Sequence, residues 1–237
     1  MTPDFIKFPS TPHLTNLGMI DIRNDKVMSA TERDDLLHHD IIVEEKVDGA
    51  NLGLSFDGEG NLQAQNRGAY LLFPSPDQWK KLPEWLAPRA DTLFDKLTDR
   101  FILFGEWCYA VHSILYDRLP DWFLGFDIYD KQVNRFLSAD RRDHIFEAIG
   151  ICKVPTIGRG KFSLSDLKRL FSQSQLSTRA AEGIYLRYDR GGFLSKRAKL
   201  VRPEFIQSLD EHWTHSGIQP NRLKPEVHFA DHGFNSL

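Results

Sequence analysis

Lys46-Val47-Asp48-Gly49-Ala50-Asn51 is the stretch on which the reading of this chain turns: a lysine leaving an apolar strand, then an acid, a glycine and an amide. A lysine amine can attack phosphorus and hold a nucleotide covalently, provided it is deprotonated and fixed in line with the leaving group. Ahead of it, Ile41-Ile42-Val43 predicts a buried strand that delivers the amine to a partly desolvated position. Gly49 predicts a tight turn of the backbone against a ligand. Beyond it, Ala50, Leu52, Leu54 and Phe56 alternate with Asn51, Gly53 and Ser55, the period of a half-buried strand, so Asn51 faces away from the apolar set. Asp57-Gly58-Glu59-Gly60 predicts a turn, and Leu62 and Ala64 a returning strand that ends at Asn66-Arg67-Gly68. Taken alone, a Lys-x-Asp-Gly string is more often an ordinary surface turn.

The context is an ordered series: Arg67-Gly68, then FGEW around Glu106, FLGFDIYD around Phe126, EGIYLR from Glu182 and RAKLVR from Arg197. In this order the segments resemble the covalent nucleotidyltransferase superfamily of ATP-dependent ligases and mRNA capping enzymes. Within it the chain is most similar to RNA ligases, particularly compact bacterial stand-alone ones. Asn51 favours that choice, because DNA ligases and capping enzymes usually carry arginine there. KFPSTPHL from Lys7 and HWTHSGIQPNRL from His212 also resemble the bacterial proteins, so the likeness runs over roughly residues 5 to 225.

The resemblance implies a role for each matching position. Lys46 is expected as the adenylylated nucleophile, with Glu45 beside the bound ATP. Asp48 and Asn51 are expected to organise the phosphates and their metal-bound water. Arg67 would contact the nucleotide or an RNA 5′-phosphate, to which a planar fork of permanent charge is suited. Glu106 would accept from the ribose or help hold a metal, Phe126 would stack on adenine, and Glu182 would serve a magnesium ion through hard oxygen donors. Arg197 and Lys199 share one face of the strand after Gly191-Gly192, where two cations can neutralise a triphosphate and depress the pKa of Lys46. Many ligases carry lysine at both positions, and Lys199 is expected to be the essential one.

The implied activity is ATP-dependent sealing of RNA 5′-phosphate and 3′-hydroxyl ends in RNA repair, assisted by Mg2+ or Mn2+. A separate end-healing enzyme is a possible partner. Two alternatives stay open: a DNA ligase or capping-type enzyme of the same fold, and a nucleotide- or RNA-binding protein that has lost catalysis.

Composition narrows the rest. A hydrophobic fraction of 41% with 27% charged residues in 237 residues suits a globular domain with a sizeable core. No apolar run reaches the roughly 20 residues of a membrane span and no secretory pattern opens the chain, so the expected compartment is the cytoplasm. Cys108 and Cys152 give neither a disulfide framework nor a zinc motif, and His212 with His215 makes a weak metal case. A net charge of −3 argues against indiscriminate coating of nucleic acid, yet Arg187, Arg190, Lys196, Arg197, Lys199 and Arg202 face the single acid Asp189, a local excess suited to phosphate contacts.

The expected fold is α+β: a nucleotidyltransferase fold of antiparallel sheets with flanking helices. Helices are predicted over 91–100, from a Ser138 cap to Ile149 with Gly150 as stop, over Ser165 to Phe171, and after Pro203 with Phe205, Ile206, Leu209 and Trp213 on one side. Pro74, Pro76, Pro83 and Pro88 predict an irregular stretch over 73–90, broken by a short helix containing Trp79. Only 35 residues follow Arg202, too few for an appended OB barrel. The expected organisation is one nucleotidyltransferase domain over 1–225 and a polar tail over 226–237.

Overall fold

The computed structural model describes residues 5–18, 26–75, 77–170, 173–203 and 218–225. Among them, nine strands form two antiparallel sheets. The first has the order β7 (Thr156–Gly160), β1 (Ile41–Lys46), β8 (Gly183–Arg190), β9 (Phe193–Val201). The second has the order β3 (Leu62–Gln65), β2 (Ala50–Phe56), β4 (Phe101–Trp107), β5 (Phe123–Asp130), β6 (Arg135–Phe136). Five helices accompany them: α1 (Ala30–His38), α2 (Leu82–Leu86), α3 (Ala90–Leu97), α4 (Ala139–Ile149) and α5 (Leu164–Arg169). The α+β class with antiparallel sheets is therefore as expected.

Val47-Asp48-Gly49 is the crossover between the sheets, since β1 ends at Lys46 in one and β2 begins at Ala50 in the other. Gly49 is needed there for a reason other than a ligand. A Cβ at that position would lie 2.9 Å from the Trp107 carbonyl oxygen and 3.1 Å from Cys108 Sγ, so the crossover is pressed against the end of β4.

Each sheet has its own core. Ile41, Val43, Ile184, Leu186, Ala198 and Leu200 pack with Leu14, Leu36 and Leu167 behind the first. Leu52, Leu54, Leu103, Trp107 and Ile128 pack with Trp85, Leu93, Leu97 and Phe146 behind the second. Apolar periodicity does not mark α1, whose one buried residue is Leu36; Ser29 and Glu32 start it with a capping box. α4 matches its predicted span, and Gly150 ends it with φ 76°, in the left-handed region glycine tolerates. Asp189 of β8, rather than the Ser138 side chain, accepts from the Ala139 amide at 2.6 Å, tying that helix start to the first sheet.

The stretch over 73–90 is more helical than its prolines suggest. A 3-10 turn at Asp77–Trp79, then α2 and a second 3-10 turn at Ala87–Arg89, follow one another, with Pro83 and Pro88 in first-turn positions where a missing amide costs nothing. Asp121 secures the segment by accepting from Trp85 Nε1 at 2.7 Å and from Arg89 at 3.3 Å. The helix expected after Pro203, the His212–His215 pair and the tail from Glu226 lie outside the described residues.

Candidate active site

Strand pairing assembles the site. Lys46 is paired with Gly183, which sets Glu182 beside it at the start of β8, and Lys46 Nζ donates to Glu182 Oε2 at 2.6 Å. A side chain at 183 would not fit, because its Cβ would sit 2.3 Å from the Leu200 carbonyl oxygen. One row over, Glu44, Tyr185 and Lys199 are cross-strand neighbours on β1, β8 and β9, all on one face. The N-terminal segment is laid along β9: Lys199 N donates to the Pro12 carbonyl at 2.9 Å, and Leu14 N to that of Lys199 at 2.8 Å. This brings Phe8, Ser10 and Thr11 to the site.

The second sheet supplies the opposite wall. Asn51 on β2 and Glu106 on β4 are direct partners and project to the same side. The register between β4 and β5 passes from Phe104–Asp127 to Gly105–Gly125, so Phe126 is the extra residue of a bulge. A bulge re-aims a side chain and leaves backbone groups outside the ladder. The Phe126 ring turns to the cavity, and its carbonyl accepts instead from Arg142 at 2.6 Å and Arg187 at 3.1 Å. Both guanidiniums are fully buried and paired, Arg142 with Glu44 at 2.6 Å and Arg187 with Asp127 at 2.6 Å. Arg142 thereby links the strand carrying Lys46 to the bulge carrying Phe126.

Between the sheets lies a cavity lined by, among others, Glu45, Lys46, Asn51, Arg67, Glu106, Phe126, Tyr185 and Lys199. Both polar atoms of the Asn51 amide and Oε2 of Glu106 are buried without a hydrogen-bond partner. Leaving such a group unpaired costs roughly 1–3 kcal/mol, so three neighbouring orphans beside one lysine mark a place for a polar ligand. A second, more open cavity shares Lys46, Asn51, Arg67 and Glu106 and adds Asp48, Asn66, Gln78 and Trp79. Lys46 thus stands where two cavities meet.

Electrostatics correct one expectation. Burial by itself would lower the pKa of Lys46, but the charges of Glu182, Asp48 and Glu106 outweigh it and leave the amine above its ordinary value. The depression falls on Lys199, taken down to about 8 by burial and by Lys46. Burial carries Glu106 the other way, up to about 8, with Asp48 adding to the effect and Lys46 opposing it.

Asp48 accepts at Oδ2 from the Ser113 amide at 2.7 Å and from the Ser113 hydroxyl, and it faces the second cavity. Glu45 accepts from the Ser174 hydroxyl and from the Gln175 amide at 2.8 Å. Arg67 sits in the tight turn after β3, where Asn66 Oδ1 accepts from the amides of Gly68 and Ala69.

Arg197 is not among the cavity-lining residues. It donates to Asp127 at 3.0 Å and lies 4.1 Å from the Phe136 ring centroid, because the buried Asp127 carboxylate between two arginines claims it. The basic excess over 187–202 is likewise divided: Arg187 and Arg197 serve Asp127, Lys196 pairs with Asp35, and Lys199 lines the cavity. Tyr185, Ser10, Thr11, Lys26 and Val154 also line it and were not singled out from the sequence. Alternation along β8, which sets Tyr185 opposite Ile184 and Leu186, is the signal that exposes the first of them.

Comparison with curated protein sequences finds no match. Among solved structures, the fold is similar to Naegleria gruberi RNA ligase with PPi, at a TM-score of 0.63 and 17% identity over 86% of this chain and 58% of that one. A mutant of that ligase with ATP and Mn gives 0.62 and 16%, and another with AMP and Mn 0.61 and 15%, over the same shares of the two chains. The match thus spans 58% of the length of those structures, and at such identity it establishes the fold. The RNA ligase family model matches residues 39–201, which hold every described strand and every described helix except α1, and by this match the chain belongs to the RNA ligase family.

Proposed function

We propose that this protein is an ATP-dependent RNA ligase that seals 5′-phosphate and 3′-hydroxyl RNA ends through an AMP adduct on Lys46. The observation that carries the reading is Lys46 at the junction of two cavities, paired with Glu182 and faced by the unpartnered Asn51 and Glu106. The solved ligases that share the fold, which carry PPi, ATP, AMP and Mn, support a nucleotide as the ligand.

In the first step the Lys46 amine attacks the α-phosphorus of ATP; an N–P bond forms and the P–O bond to pyrophosphate breaks. Only a neutral amine can attack, and Glu182, 2.6 Å from Nζ, is placed to take its proton. Phe126 and Val154 offer apolar surface to the base, with Glu45 at the same wall. Lys199 brings positive charge to the phosphates, and Asn51 supplies a donor and an acceptor that nothing else in the cavity satisfies. AMP then passes to the RNA 5′-phosphate, which Arg67 is placed to receive, and the 3′-hydroxyl displaces it.

The donor set fits Mg2+ or Mn2+ in a limited way. Glu182 and Glu106 offer hard oxygen ligands, but no three His, Cys, Asp or Glu residues group to hold an ion among the described residues. An ion there would draw much of its shell from phosphates and water, as Mg2+ commonly does, and would neutralise phosphate charge. We place the protein in the cytoplasm and in RNA repair, with end healing left to a separate enzyme. No helix among the described residues is long and apolar enough to cross a membrane.

The test is incubation with labelled ATP and a divalent metal. The protein should retain AMP through an acid-labile bond and Lys46→Ala should not; undiminished labelling of that variant refutes the assignment. Nicked duplexes whose 3′-hydroxyl side ends in two ribose or two deoxyribose nucleotides then identify the polymer. Equal or faster joining of the all-deoxyribose nick would favour a DNA ligase.

A further inference from the structure

Two carboxamides, Asn66 and Gln78, line the second cavity and neither lines the first. Asn66 stands directly after β3, and Gln78 lies within the 3-10 turn at Asp77–Trp79. A primary amide has one oxygen that accepts and one NH2 that donates. In both residues the oxygen is already used by the protein itself. Asn66 Oδ1 accepts from the Gly68 amide at 2.8 Å and from the Ala69 amide at 2.9 Å. Gln78 Oε1 lies 3.0 Å from His112 Nε2, and because that oxygen can only accept, the imidazole carries its proton on Nε2. What each residue has left for the cavity is its NH2.

Both groups are held in place. The Asn66 side chain is fixed by the turn that it closes, and the Gln78 carbonyl accepts from Trp107 Nε1 at 2.6 Å. His112 also ties Gln78 to the reacting lysine: it precedes Ser113, whose amide and hydroxyl donate to Asp48 Oδ2, two residues from Lys46. Arg67, next to Asn66, adds a guanidinium that can only donate. Of the two carboxylates on this lining, Asp48 has Oδ2 taken up by Ser113 and Glu106 is shared with the first cavity. The part of the second cavity that is its own is therefore rich in donors. A base edge or a sugar hydroxyl would bring donors of its own, whereas the oxygens of an ionised phosphate all accept.

We infer, on the ligase reading proposed above, that Asn66 and Gln78 donate to the 5′-phosphate of the RNA and, with Arg67, form its seat beside Lys46. In the transfer step one oxygen of that phosphate forms a bond to the phosphorus of the lysyl-AMP. The N–P bond breaks, and its electron pair stays with Lys46 Nζ, which takes a proton from Glu182 at 2.6 Å. Neutral N–H donors suit this seat, because they orient the phosphate and leave its attacking oxygen charged.

The test uses the whole protein and three variants. Asn66→Asp and Gln78→Glu each keep the oxygen that the protein uses and exchange only the NH2 for a second, repelling oxygen; Gln78→Met removes the donor without adding charge. Fluorescence anisotropy compares the 5′-phosphorylated and 5′-hydroxyl forms of one oligoribonucleotide. The unaltered protein should prefer the phosphorylated form, and the preference should fall about tenfold in Gln78→Met and further in the two acidic variants, the loss of a hydrogen bond to a charged group. AMP transfer from the isolated lysyl-AMP protein should need about tenfold more phosphorylated RNA in Gln78→Met, with a much smaller effect on lysyl-AMP formation from ATP. A 5′-phosphate preference that the unaltered protein lacks, or that all three variants keep, overturns the inference. So does a loss of lysyl-AMP formation as large as the loss of transfer in a variant that keeps its Tm, which would assign these donors to ATP. If the unaltered protein forms no lysyl-AMP, the ligase reading fails by itself, and the anisotropy comparison still decides the phosphate seat.

Discussion

Replacing Lys199 with methionine is expected to stabilise the protein while disabling the site. Burial first, and then the charge of Lys46, hold Lys199 at a pKa of about 8 against an ordinary 10.5, with Glu182 acting the other way. Below about pH 8 the amine is protonated in both the folded and the unfolded chain, and the folded state carries the full cost of the charge. Between pH 8 and 10.5 the unfolded chain binds more protons, so stability rises with pH, and above that window the cost is gone. At roughly 1.4 kcal/mol per pH unit, the span from about 8 to 10.5 is worth on the order of 3 kcal/mol. Methionine keeps most of the stem without the charge. Lys199→Met should therefore be about 1–3 kcal/mol more stable than the unaltered protein at pH 7, at roughly 2–4 °C of Tm per kcal/mol for a chain of this size. Urea unfolding at pH 7 and pH 10, followed by fluorescence of the five tryptophans, measures it alongside lysyl-AMP formation. The stability gain should shrink at pH 10 and labelling should be lost throughout. A variant less stable than the unaltered protein at pH 7, or a gain that persists undiminished at pH 10, would refute the reasoning.

Glu106 gives the opposite window: its carboxyl is raised from 4.5 to about 8, so the folded state binds the extra proton and stability falls as pH rises between those values. Glu106→Gln should match the unaltered protein near pH 4 and exceed it by a few kcal/mol at pH 9, at roughly 1.4 kcal/mol per pH unit, and unfolding at the two pH values checks this. At ATP well below saturation, lysyl-AMP formation should rise with pH as the neutral fraction of Lys46 grows and then level off above about pH 8 as Lys199 loses its charge; Lys199→Arg should keep rising where the unaltered protein is level in a rapid-quench profile. Arg142→Met leaves Glu44 buried without its partner and one donor fewer on the Phe126 carbonyl. It should cost roughly 3–5 kcal/mol in urea unfolding. Gly105→Ala would place a Cβ 2.3 Å from the Phe123 ring and 2.6 Å from the Leu124 carbonyl oxygen, and should lower stability by at least roughly 1–3 kcal/mol in the same assay.

Local pattern was enough to specify the strands around Lys46, the alternation that turns Asn51 away from the core, and the span of α4 with its glycine stop, because each depends on neighbours within a few residues. The order of the charged and aromatic segments likewise pointed to Glu45, Lys46, Asn51, Glu106, Phe126 and Lys199 among the strand residues that line the first cavity, but not to Glu44 or Tyr185. What the sequence could not determine was which partner each charge would take. Arg197 and Lys199 stand two residues apart on one strand, yet Asp127, 70 residues before Arg197 in the chain, claims the arginine and leaves the lysine to the cavity. The same holds for Lys46: burial would lower its pKa, but Glu182, 136 residues away, leads the carboxylates that raise it. Phe126 faces the cavity because a bulge shifts it, and Gly49 is glycine because β4 crowds it. Charge pairing, register and close approach are decided through space, at distances of a few ångströms between residues that the chain keeps far apart, and only the tertiary structure fixes those distances.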